Sequence, residues 1–149
     1  MSTINRFAPI ITRLLLGALF LFSGINGLFQ LSPPPELPPA AGAFMGALAA
    51  TGYFFPLLKV TEIAVGVLLL INRFVPLALV VLAPIVVNIV AFHLVLAPSG
   101  IGILVLMVAA GVYLAWVHRD AYRPLLQARS SAAARPSLER GHSKPLAAQ

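Results

Sequence analysis

Long apolar runs alternate along this chain with short polar breaks, and the runs have helical rather than strand length. Four of them, residues 8–31, 53–71, 75–96 and 101–117, are near the roughly 20 apolar residues that carry a helix across a hydrocarbon core. The break "NRF" at 72–74 is short enough to force an antiparallel hairpin. The break "APSG" at 97–100 ends the third run with Pro98 and Gly100 in a tight turn. The pattern therefore predicts an all-α fold, an integral membrane four-helix bundle. The longer first connection divides in two. Its proline-rich part, 33–39, is expected to be stiff and extended. Its small, apolar part, 40–51, is too short to span and is expected to form a short helix at the outer membrane interface.

Composition narrows the class further. Of the 149 residues 60% are hydrophobic and only 9% charged, against about 25% charged in a soluble domain, so the partner that solvates this surface is a lipid bilayer. The chain has no cysteine, which excludes disulfides, thiol relays, thiolate metal sites and iron–sulfur clusters. His93, His118 and His142 show no metal-ligand spacing, so no metal site is expected. The first run follows Arg6 as a secretory leader would, but it is too long for a leader and no A-x-A follows it. An uncleaved first membrane helix is expected instead.

The net charge of +6 is uneven. Arg6 and Arg13, then Arg73, then Arg119, Arg123 and the basic residues of the tail all fall on one side of a four-span topology, while connections 32–52 and 97–100 hold no Lys or Arg. By the positive-inside rule both termini are cytoplasmic. Beside apolar spans this basic excess points to topology and anionic lipid, not to nucleic acid. Residues 1–123 form the four-helix domain, and 124–149, rich in Ala, Ser, Arg and Pro, read as a disordered basic cytoplasmic tail.

The remaining chemistry lies in the polar residues inside the spans. At about 1.5 Å per residue, Lys59 and Glu62 lie roughly 9 and 13 Å below the outer end of the second run. Asn88 and His93 on the third run, and Ser23, Asn26 and Gln30 on the first, fall in the same outer layer. A charge at bilayer depth turns inward and pairs, and Lys59 with Glu62, at i, i+3, are within reach of each other. Asn26, Lys59, Glu62, Asn88 and His93 are thus the candidate polar pocket. Asn88 and His93 stand about 140° apart around their helix and cannot both face one point, so His93 is expected to meet the short helix of the first connection. Arg13 is expected to snorkel to the inner phosphates, and Pro84 to kink the third helix. The bland reading of the whole layer is glue between helices.

Three segments, "ITRLLLGALFLFSGINGLF", "VTEIAVGVLLLINRFVPLAL" and "LAPIVVNIVAFHLVLAPSG", together resemble the DoxX-like family of small four-helix bacterial membrane proteins. The pattern E-x-x-x-G-x-x-L-L, here Glu62, Gly66, Leu69 and Leu70, and the Asn88/His93 segment carry the resemblance. It implies a location in the bacterial plasma (inner) membrane. Some relatives are associated with thiosulfate:quinone oxidoreductase subunits, oxidative-stress complexes or membrane redox maturation. A quinone is then the cofactor the resemblance admits, and a membrane protein partner or a second copy the expected company. Three functions stay open: an accessory subunit of a membrane redox system; a quinone-linked oxidoreductase component, with Glu62 and His93 handling protons; and a small transporter or channel lined by Lys59 and Glu62. No catalytic motif decides whether the chain is an enzyme. A polar layer confined to one half of the bilayer suits binding better than conduction.

Overall fold

A computed structural model of the chain describes residues 3–126 and is helical throughout, with no strand among them. The elements are α1 (Thr3–Phe29), α2 (Pro39–Ala50), α3 (Phe54–Leu70), α4 (Val75–Val95), α5 (Ile101–Val117) and α6 (Arg119–Tyr122), followed by a 3₁₀ turn, Arg123–Leu126. The four expected runs are the four long helices, and 40–51 is the short α2. The tail expected from Pro124 lies outside the described residues except for the last three residues of that 3₁₀ turn.

α1 and α4 are long and apolar enough to cross a membrane. α5 is apolar but has 17 residues. α2 and α3 meet at 91°, so if α3 stands across a membrane α2 lies in its plane. The corner is fixed by Thr51, whose hydroxyl donates to Leu48 O (2.7 Å) and accepts from the Phe54 amide (3.3 Å), and by Gly52 at φ +73°. Phe44 of α2 reaches Phe92 of α4, with ring centroids 6.1 Å apart.

Each long helix turns a narrow stripe inward. On α3 it is Glu62, Val65, Gly66 and Leu69; on α4 it is Val75, Ala78, Leu79 and Leu82; on α1 it includes Leu16, Gly17, Phe20 and Gly24. Large apolar side chains such as Phe22, Val87, Leu106 and Trp116 are exposed outside these stripes, as on a surface whose solvent is lipid.

The closest helix contact is α1 against α3, running antiparallel. A Cβ on Gly66 would stand 2.7 Å from the Leu21 amide nitrogen, and one on Gly24 would stand 2.9 Å from the Lys59 carbonyl. Backbones this near each other leave no room for a side chain, which is the use membrane helices make of small residues.

Helix ends are satisfied locally. α1 closes with Gln30 at φ +50° and the Leu31 amide donating to Asn26 O (3.2 Å), and α3 closes likewise with Asn72 at φ +57° and the Arg73 amide donating to Leu68 O (3.0 Å). Arg13 does not reach away from the bundle as expected. Its guanidinium donates to the carbonyls of Leu69 and Leu70 (3.2 Å to Leu70) at the C-terminal end of α3, where carbonyls lack the full set of helical partners. α4 continues as one helix through Pro84.

The hairpins and the Arg13 contact bring Arg13, Arg73, Arg119 and Arg123 to one end of the bundle. Tyr122 ties the end of the chain to that same end, its hydroxyl donating to Pro76 O (3.3 Å), and partial burial pushes its phenol above the usual value. The fully buried residues of α4 lie toward this end and stop at Leu82. Beyond Leu82 the core-facing residues of α4, Ile85, Val86, Ile89 and Val90, are only partly buried, and the polar residues lie toward that end.

Candidate functional site

Glu62 is 2% exposed, and it owes that position to the stripe that also buries Val65 and Gly66. An uncompensated carboxylate there would be costly, and two neighbours compensate it. Lys59 Nζ lies 2.9 Å from Glu62 Oε2, and Ser23 Oγ donates to the same oxygen at 2.9 Å. Lys59 Nζ also donates to Ser23 Oγ at 3.3 Å. The three groups close a triangle between α1 and α3. Lys59 reaches it by lying along the helix opposite: a Cβ on Gly27 would stand 2.5 Å from Lys59 Cε. Glycine at 27 is thus what gives the lysine stem its bed.

The triangle has an apolar chamber beside it. A cavity of about 140 Å³ opens between α1, α4 and α5, and Ser23 is in its wall. Across from α1 the wall is Ile89 and His93 of α4 with Ile103, Leu104 and Met107 of α5. Of the eight lining residues only Ser23 and His93 carry polar side chains. His93 stands edge-on to Phe92, with centroids 5.5 Å apart, and its Nδ1 lies 2.8 Å from Ile89 O. A carbonyl only accepts, so Nδ1 carries a hydrogen and donates, and Nε2 is the ring nitrogen left for other contacts.

A second, larger cavity of about 270 Å³ lies farther along the α1–α5 seam toward the arginine end. Thr12, Leu15, Leu106, Ala110 and Tyr113 line it, and it shares Leu19 and Met107 with the first. Adjoining through Leu19 and Met107, the two make an apolar trough, with Ser23 and His93 toward one end and Thr12 and Tyr113 toward the other.

The expected pocket residues are thus only partly gathered. Lys59 and Glu62 are joined as their spacing required. Asn26 lies one turn from Ser23 on α1, and its Oδ1 is buried without a hydrogen-bond partner, an orphan acceptor in the polar layer. His93 reaches the cavity wall shared with Ser23, and its neighbour Phe92 meets Phe44 of α2. Asn88 is not brought to the pair: it is exposed on α4, because the face that turns inward carries Ile85 and Ile89. Two participants escaped the sequence pattern. Ser23 was visible in the polar layer, but nothing marked it as the link between the ion pair and the cavity. The part of α5 carries no polar signal at all, since it contributes only Ile103, Leu104 and Met107. Among the described residues no three His, Asp or Glu side chains come together as metal ligands would.

The DoxX family model matches this chain over residues 8–96, which covers α1 to α4 and stops before α5. No curated protein and no solved structure matches it.

Proposed function

The chain belongs to the DoxX family and is a membrane protein, and from that premise we propose that it is a ligand-binding accessory component of a membrane redox system, holding an amphiphilic molecule of the quinone class. One observation carries this reading: the apolar trough between α1 and α5 has its polar groups at its ends, and the end at Ser23 and His93 is backed by a buried ion pair. Ligand sites are mostly apolar, with a few placed polar groups that fix orientation, and this trough has that character. The chamber would seat a small polar head, and the larger cavity an apolar tail.

In this reading the bundle spans the bacterial plasma membrane four times, with both termini in the cytoplasm. The gathering of Arg13, Arg73, Arg119 and Arg123 at one end supports that orientation, and it puts Ser23 and His93 in the outer half. Transport of a small solute or of protons is the other reading, and the packing disfavours it. Below the triangle Leu16, Leu69, Leu79 and Leu82 close the bundle, and Arg13 is committed to the end of α3.

The test is extraction of the full chain from native membranes in mild detergent, followed by mass spectrometry of co-purified lipids and proteins. The wild type should carry a quinone-class molecule that Met107→Trp, which puts a bulkier side chain on the wall both cavities share, loses. Equal amounts in the two preparations, or none in either, would overturn the proposal.

A further inference from the structure

The hydrogen-bond polarity of the cavity defines its ligand more narrowly, and this step rests on the reading of the trough as a binding site. Each of the two polar groups in the chamber has already committed its proton. Ser23 gives its only hydroxyl hydrogen to Glu62 Oε2, an ionised carboxylate that can only accept, and it also receives a hydrogen from Lys59. What Ser23 Oγ has left is one lone pair. His93 gives its Nδ1 hydrogen to Ile89 O, which leaves Nε2 as the ring nitrogen that can accept. The six other lining side chains are apolar. Toward its interior the chamber therefore presents two acceptors and no donor.

A bound carbonyl would face these lone pairs with no hydrogen between. A bound hydroxyl would supply that hydrogen. We infer that the site between α1, α4 and α5 takes a hydroxyl-headed amphiphile, a phenol or quinol donating its O–H to His93 Nε2 or Ser23 Oγ, in preference to the corresponding quinone or ether. In a redox system this makes the chain a holder of the reduced form. The Lys59–Glu62 pair fixes the polarity from behind, because the carboxylate is what turns the serine hydroxyl away from the cavity.

The experiment uses the full chain in lipid nanodiscs. Radiolabelled 4-nonylphenol is the probe, and it is displaced by unlabelled 4-nonylphenol, by its methyl ether 4-nonylanisole and, under anaerobic conditions, by decylhydroquinone and decylquinone. Competitors are compared at equal mole fraction in lipid. The phenol should bind about tenfold more tightly than the ether, and the quinol more tightly than the quinone by a similar factor, the weight of one well-made buried hydrogen bond. His93→Phe keeps an aromatic ring against Phe92 but removes Nε2; it should bind the ether as the wild type does and lose most of the preference. His93→Gln adds an amide donor and should also bring the ratio toward 1, which guards against misfolding of the first variant.

If phenol and ether bind alike to the wild type, or if the quinone binds more tightly than the quinol, the inference fails while the trough remains a ligand site. If none of the four displaces a saturable signal that Met107→Trp removes, the binding-site reading fails and takes the inference with it.

Discussion

Lys59 and Glu62 are a pair whose value depends on which partner is removed. Taking away Lys59 alone leaves a carboxylate that is 2% exposed with only the Ser23 hydroxyl for company. Breaking a buried pair in this way typically destabilises by about 3–5 kcal/mol. Lys59 is 18% exposed along its side chain, so the reverse loss, Glu62→Gln, is expected to fall toward the lower end of that range, because the ammonium can turn toward water. The double change Lys59→Met with Glu62→Leu removes both charges at similar volume and should come within about 1 kcal/mol of the wild type. Reversible unfolding in detergent measures all three. The double variant also separates glue from function, because it frees the Ser23 hydrogen to point into the cavity. If it folds normally yet binds phenol and anisole equally, the pair acts on the ligand site; if the phenol preference survives, the pair is structural alone. Arg13 is a second residue with a defined contact. Arg13→Met strips two hydrogen bonds from the end of α3 and should cost about 1–3 kcal/mol in the same assay.

Helix against helix, the structure contrasts a tight seam with a loose one. α1 and α3 meet backbone to backbone, and a methyl group at Gly66 would drive into Leu21 and Gly17. Gly66→Ala is expected to cost about 1–3 kcal/mol by overpacking. Gly102 and Gly111 of α5 look onto open space, and alanine at either should be neutral or stabilising by up to about 1 kcal/mol, since only helix propensity changes. A uniform effect across the three glycines would contradict the assigned seam. This difference also explains what the sequence could disclose. Helix positions were legible because hydropathy and the breaks at 72–74 and 97–100 are local signals. The Lys59–Glu62 contact was legible because both residues sit on one helix. Asn88 was misplaced because a uniformly apolar helix has no polar face, so the pattern could not say which side of α4 turns inward. The α1–α5 trough was invisible for the same reason: it is a space left between leucines, and a space between helices has no signature in either helix alone.

At the scale of the whole molecule the charges, the core and the cavities are arranged along one axis. The arginines lie at one end, and the ion pair and the smaller cavity at the other. Topology reporters fused at residue 40 and after Leu126 should fall on opposite sides of the membrane, with the second in the cytoplasm; finding both on one side would remove the four-span arrangement. The antiparallel seam of α1 and α3 also bears on how the chain is made. α3 is a 17-residue segment that carries a lysine and a glutamate, and each charge near the middle of a lone inserting helix raises the cost of entry by about 2.5–3.5 kcal/mol. The serine that shares their charge and the glycine that beds the lysine both belong to α1, which leaves the ribosome first. The order of segments along the chain is therefore an assembly instruction: α1 has to be waiting in the bilayer when α3 arrives. Glycosylation-site mapping during cell-free synthesis with microsomes can time this. α3 should insert efficiently behind its own α1, less so behind an α1 carrying Ser23→Ala with Gly27→Leu, and least when a plain polyleucine span stands in α1's place. Equal insertion in all three would mean that α3 enters on its leucines and valines alone and meets its partner only afterwards.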